Sequence, residues 1–332
     1  MRAPRTSLAI LGGTAAITLA LSGCASTATS AADDGELRIV ASTDVYGDIA
    51  EQIVGDLAEV TSIITSAAQD PHSYEASAQD QLALSRADLV IENGAGYDSF
   101  IETLIADNTT AEVLSASETS GLLEESGEHS EEPGEHSDEE GDQAQGVDEH
   151  AGEEQDHIEG FNEHVWYSFH GVERIAAAIA DDVSAIDEAN AATYRQNYET
   201  FAAKLEVLHD RVHDLEPSTT GLSVAITEPV PLYLVSDAGL VNATPEAFSE
   251  AIEEGTDVSP AVLKETLGLF GTGDIAFLAY NDQTAGPETE QVRDAAEAAG
   301  VPVVDFTETL PEGEDYLGWM TANVDAIESA LG

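Results

Sequence analysis

The chain of 332 residues predicts an α/β protein: two similar lobes, each with a mainly parallel sheet flanked by helices, joined by one long rigid interlobe helix. Three observations carry this. Short runs rich in Val, Ile and Leu alternate with helically spaced segments, the pattern of a parallel sheet covered on both faces. One unbroken apolar stripe then runs through the middle of the chain. After it, the strand and helix alternation resumes.

In the first half, residues 37–41, 60–64, 89–91 and 111–114 read as strands, and 48–58, 77–87 and 97–106 as helices. Asn93-Gly94-Ala95-Gly96 is a turn; it lacks the third glycine of a dinucleotide fingerprint. The stripe comprises Ala191, Tyr194, Tyr198, Phe201, Leu205, Leu208, Val212 and Leu215, in steps of three and four. With its flanks it predicts one helix over 187–216, about 45 Å long at about 1.5 Å per residue, ended by Pro217. Beyond it, 222–226, 275–280 and 301–305 read as strands, and 245–254, 259–270, 289–299 and 316–331 as helices. The first lobe is therefore assigned 36–186 and the second 217–332.

Arg2 and Arg5 precede an apolar run over residues 7–21, too short to span a bilayer as a helix. The run ends Leu21-Ser22-Gly23-Cys24, and Cys24 is the single cysteine of the chain. This predicts a signal peptide over 1–23, lipidation at Cys24 and a small-residue tether over 24–35. The protein is expected outside the cytoplasm, held to the cell membrane by lipid, with no intramolecular disulfide.

The chain carries 66 Asp and Glu against 10 Lys and Arg, a net charge of −56. Such a surface repels nucleic acid and anionic headgroups, both of which need clustered bases. Residues 124–157 hold 15 of the acids, no Lys or Arg and almost no apolar side chain, and are expected to be a mobile loop. Acid–His pairs recur in it at His129, His136, His150 and His157, and again at His164 just beyond. Clustered histidines in an acidic chain can bind divalent metal weakly.

No phosphate-binding glycine loop, Gly-x-Ser-x-Gly or cysteine nucleophile is present, so His and carboxylates are the informative residues. Asp70-Pro71-His72-Ser73-Tyr74 follows a strand end, where ligands gather in α/β sheets. Asn162-Glu163-His164-Val165-Trp166-Tyr167 resumes the apolar sequence after the acidic segment. Thr227-Glu228-Pro229 and Phe306-Thr307-Glu308-Thr309-Leu310 each follow a strand of the second lobe. A lone histidine in such a loop is usually a surface residue. Two imidazoles and two carboxylates facing each other across a cleft make a mixed N/O set that suits Zn²⁺, and also Mn²⁺ or Fe²⁺. His170, His209 and His213 have no partner motif and read as exposed helix residues; Trp166, Tyr167 and Trp319 read as packing.

These four segments, with Cys24, the interlobe helix and Tyr280-Asn281-Asp282-Gln283-Thr284, resemble the zinc/manganese-type substrate-binding lipoproteins of metal ABC importers. The resemblance covers the exported chain apart from the acidic insert. It implies that His72 and His164 are metal ligands, that Glu228 fills the third position and that Glu308 fills the fourth, usually Asp. It also implies a monomeric, non-enzymatic receptor that gives its ion to an ABC permease and its ATPase. A His-rich loop at this place in zinc-type members favours Zn²⁺ over Mn²⁺ or Fe²⁺. The competing readings are a surface metal buffer or adhesin, with the acidic loop as the working part, and a metallohydrolase, which would need an open metal position.

Overall fold

The computed structural model describes residues 37–108, 110–128, 158 and 160–332. The signal peptide, Cys24, the tether and His129, His136, His150 and His157 lie outside the described residues.

The first lobe starts with β1 (Leu37–Thr43), α1 (Asp44–Val54), β2 (Ala58–Ile64), α2 (Ala78–Leu84) and β3 (Leu89–Glu92). It continues with α3 (Ser99–Asn108), β4 (Glu112–Ser115), α4 (Ala116–Ser120), α5 (Leu122–Glu128) and α6 (Phe169–Ile186). The rod α7 (Ala191–His213) and the short α8 (Glu216–Thr219) lead to β5 (Ser223–Ile226), α9 (Leu232–Asp237), β6 (Val241–Asn242) and α10 (Glu246–Glu253). The second lobe closes with α11 (Pro260–Gly268), β7 (Ile275–Asn281), α12 (Pro287–Ala299), β8 (Val303–Phe306) and α13 (Tyr316–Leu331).

The two sheets have the same topology, β2-β1-β3-β4 and β6-β5-β7-β8, with every pairing parallel. Alternation along each central strand sends side chains to two different cores. Ile39 and Ala41 of β1, Val224 and Ile226 of β5, and Phe277 and Ala279 of β7 enter one cluster shared by both lobes. Val40 and Val90 turn instead to a private cluster of the first lobe, and Ala225 and Leu278 to one of the second. The shared cluster also takes in Phe201, Leu205 and Leu208 of α7 and Tyr316, Trp319 and Met320 of α13.

The interlobe helix is shorter than the sequence predicts. α7 has 23 residues, about 35 Å at about 1.5 Å each. Asp187 accepts hydrogen bonds from Asn190 Nδ2 (2.7 Å) and Tyr194 Oη (2.9 Å), which holds 187–190 as a turn rather than a first helical turn. At the other end Pro217 opens α8 instead of terminating the rod, because proline is tolerated in a first turn, where its missing N–H costs nothing. The acidic segment also begins differently from expectation. Its first residues belong to α5, whose Leu122 and Leu123 pack on the shared cluster while Arg174 lies 3.7 Å from Glu125.

Among the described residues no helix is long and apolar enough to cross a membrane.

Candidate metal centre

Each proposed ligand stands just past the carboxyl end of a strand or at the start of a short helical turn, and local chemistry fixes each one. Asp70 caps the turn Pro71–Ser73: its Oδ1 accepts from the His72 backbone N–H (3.0 Å) and its Oδ2 from Ser73 Oγ (2.7 Å). That places the His72 ring edge-on to Tyr97, with centroids 4.8 Å apart. Tyr97 is set by the turn after β3. Gly94, Ala95 and Gly96 all adopt positive φ, at 75°, 55° and 89°. The buried Asp98 carboxylate accepts from the Asn93 and Gly94 N–H groups (2.6 and 2.8 Å) and holds this left-handed run together. A Cβ at Gly94 would fall 2.6 Å from Ser115 Oγ, so glycine is needed there for space as well as conformation. The Gly-Ala-Gly turn is thus a support for Tyr97.

His164 is buried among Tyr97 and Trp166, with centroids 5.8 and 5.1 Å away. Its Nδ1 lies 2.7 Å from Asn162 Oδ1. The Asn162 amide nitrogen donates to Pro229 O (3.1 Å), so the amide must turn its oxygen to the ring. His164 Nδ1 therefore carries the proton, and Nε2 keeps its lone pair for a ligand. Tyr233 Oη donates to Asn162 O (2.7 Å) and pins the same segment from the second lobe.

On that lobe, Asn281 at the end of β7 uses its amide nitrogen twice. It donates to Glu228 Oε2 and, at 2.7 Å, to Glu308 Oε1. Thr284 Oγ1 also donates to Glu228 Oε2 (2.7 Å), and the Glu308 backbone N–H donates to Gln283 Oε1. Tyr97 Oη reaches across the cleft to Glu308 Oε2 (3.4 Å). Burial, reinforced by the neighbouring Glu228, pushes the Glu308 carboxyl up to about 8. Glu228 is raised by burial too, against the pull of Thr284 and Asn281. Two buried carboxylates sharing one amide donor form a site that gains from a cation.

His72, His164 and Glu308 each offer one ligand atom, all within 4.8 Å of one another. Glu228 is brought alongside but is not in that set; its Oε2 is turned to Asn281 and Thr284. A second set, Glu163, His164 and Glu253, satisfies the same 4.8 Å limit and shares His164. Glu253 Oε1, at the end of α10, lies 3.8 Å from His164 Nδ1. Burial and then Glu163 drive its carboxyl well above the usual range. Nothing in the sequence marked Glu253, which sits in an ordinary amphipathic helix. Trp166, Tyr167 and Trp319 are buried packing residues, as expected.

Exchanging Asn162 for leucine removes the group that fixes the His164 tautomer. Outer-shell partners of this kind are worth roughly 10–100-fold in metal affinity. The expected result is a loss of that size in a chelator-competition titration, read beside a melting curve of the metal-free chain because Asn162 also bonds Pro229 O across the lobes. Affinity within twofold of the parent chain would remove Asn162 from the site.

Two parallel-sheet α/β lobes thus bring imidazoles from one and carboxylates from the other to a single centre. The model of the family described as zinc-uptake complex component A, periplasmic, matches residues 39–330, and the chain belongs to that family. Its members are substrate-binding proteins and not enzymes, which sets the hydrolase reading aside.

The chain is 29% identical over 199 residues to a manganese-binding lipoprotein of Halalkalibacterium halodurans, covering 60% of this chain and 56% of that protein. It is 24% identical over 336 residues to an iron ABC transporter substrate-binding lipoprotein of Streptococcus pyogenes, 97% of each chain. Among solved structures, the periplasmic zinc-binding protein TroA of Treponema pallidum superposes with a TM-score of 0.66 at 18% identity, over 90% of this chain and 99% of that one. The protein FpvC of Pseudomonas aeruginosa in complex with Ni²⁺ gives 0.64 at 23%, over 89% and 97%. These structural likenesses carry the fold.

Proposed function

We propose that this protein is an extracytoplasmic receptor that captures one divalent metal ion between its lobes and delivers it to an ABC permease for import. The observation that carries the reading is the convergence of His72, His164 and Glu308 from two lobes to within 4.8 Å. Glu228, one amide away, completes the set by turning its carboxylate from Asn281 to the ion. Four donors close the coordination shell, as a carrier of ions requires, and leave no position for a reacting water. Relatives named as lipoproteins support an anchor through Cys24 at the outer face of the membrane.

Zn²⁺ is the ion we assign. Two imidazoles suit it, and the acidic segment with His129, His136, His150 and His157 supports a zinc-collecting role. Mn²⁺ or Fe²⁺ is the second reading, favoured by the carboxylate pair Glu228 and Glu308 and by the relatives named for manganese and iron. Because N/O sites generally bind zinc more tightly than manganese in vitro, affinity alone does not decide between them. Elemental analysis of the protein purified from its own host does. Manganese or iron in place of zinc would overturn the assignment.

Deleting residues 126–156 separates the receptor from a surface buffer. The shortened chain is expected to keep one tight equivalent of zinc by equilibrium dialysis and to lose only weaker binding. Loss of the tight equivalent would make the acidic segment the working part.

A further inference from the structure

The chain has nine histidines. Four lie in the acidic segment and two in the interlobe site, and the fold gathers the remaining three in one place. His170 stands in the first turn of α6, and His209 and His213 face the same way one turn apart at the end of α7. The rings of His170 and His209 approach to 4.3 Å between centroids, and those of His209 and His213 lie parallel, 6.2 Å apart and tilted by 5°. A helical i, i+4 histidine pair presents two imidazoles on one face. Here a third comes from the neighbouring helix.

The surroundings favour a cation. His170 and His209 border a groove of about 530 Å³ whose lining includes Glu173, Glu206 and Asp210 and, among the described residues, no Lys or Arg. His209 and His213 occupy the last turns of α7, where the unpaired carbonyls of the helix end attract positive charge. Glu216 Oε2 lies 3.3 Å from His213 Nδ1. Asp237 is the last residue of α9, and the charge of all three rings acts on it. Burial raises its carboxyl, and His209, His170 and His213 in that order draw it back down. The ring nitrogens have not closed to the 4.8 Å that marks the interlobe sets. His170 and His213 are exposed, however, and exchange of rotamers at the surface costs little.

We propose that His170, His209 and His213, with the Asp237 carboxylate, form a second divalent-metal site of the Zn²⁺, Ni²⁺ or Cu²⁺ class at the junction of α6, α7 and α9. Three imidazoles and one carboxylate are a donor set of that class. The site lies on the outside of the rod and does not depend on the reading of the interlobe centre. An ion there ties the carboxyl end of α7 to a helix of each lobe.

The test uses zinc on the intact chain, with His129, His136, His150 and His157 changed to asparagine in every sample to silence the acidic segment. Equilibrium dialysis against zinc is expected to give two equivalents. In a His209→Ala/His213→Ala variant the weaker one should fall at least roughly tenfold, since losing ligands costs no less than losing an outer partner, while the tighter one is unchanged. A His72→Ala/His164→Ala variant should show the reverse. An unchanged weaker equivalent in the His209/His213 variant overturns the proposal. Anomalous scattering at the zinc edge from crystals of the unmutated chain tests it without any substitution. A peak between the His170 and His209 rings supports the site, and zinc confined to the interlobe cleft sinks it.

Discussion

A His72→Ala/His164→Ala double variant is expected to lose its tight metal ion altogether. Both imidazoles come from the first lobe, and without them the site keeps only the carboxylates of the second. An outer-shell partner is worth roughly 10–100-fold, so removing two ligands is expected to cost about a thousandfold or more in affinity. The loss should appear as the disappearance of the tight equivalent in a competition titration against a chelator. His72 is half-buried and tolerates truncation, whereas His164 fills space between Tyr97 and Trp166. A melting curve of the metal-free variant therefore accompanies the titration, and a His164→Asn variant, which keeps more volume, should show the same loss. Tight binding that survives in the double variant with an intact fold would end the receptor reading as stated.

The metal-free protein is expected to lose stability as pH rises, the reverse of an acid-sensitive enzyme. Burial lifts Asp44 to about 6 and Glu92 to about 7, while Glu308 reaches about 8. Each of these carboxyls binds its proton more tightly in the folded chain than in the unfolded one. Their contribution is complete below the unfolded carboxylate range and is lost as pH climbs through about 6 to about 8. For a chain of this size the midpoint of thermal unfolding should drop by roughly 5–10 °C between pH 5.5 and pH 9. Saturating zinc should flatten the drop, because an ion coordinated by Glu308 needs it ionised and replaces its proton. The Glu308→Gln variant separates the site from the general self-repulsion of an acidic chain, since it should remove a measurable share of the fall. A metal-free midpoint that is flat or rises over this range would refute the account.

Most of the sheet was legible because buried parallel strands are short runs of Val, Ile and Leu, and the seven strands read from sequence sit within about two residues of their places. β6 was not legible: two residues, Val241 and Asn242, give no pattern. α6 has no counterpart among the expected elements, although Val172, Ile175, Ala176, Ile179, Ala180 and Val183 form as regular a stripe as that of the rod. The ends of α7 were hidden for a different reason. An apolar stripe continues through a turn as well as through a helix, and only side-chain bonds such as Asp187 to Tyr194 decide where the helix stops.

The same division runs through the site. His72 and Glu308 stand at positions that motif and strand end both indicate, and His164 at one that its motif alone indicates. Asn281 lies in the Tyr280–Thr284 segment, but its two hydrogen bonds to Glu228 and Glu308 depend on the packing of three loops. Glu253 reaches His164 from a helix about ninety residues away in sequence, a contact that no local pattern encodes. The three outer histidines are the clearest case. Two share a helical face by spacing, yet only the docking of α6 against α7 brings in the third.

The apolar cluster that takes side chains from β1, β5, β7, α7 and α13 without a break has a consequence for folding. Two lobes that shared only a linker would be separate cooperative units, each able to melt and recover alone. Here a cut at the rod would leave both halves with a torn apolar face, so neither half is a foldon in its own right. The polypeptide is expected to fold as one thermodynamic body, and an ion bound between the lobes would stabilise all of it by mass action.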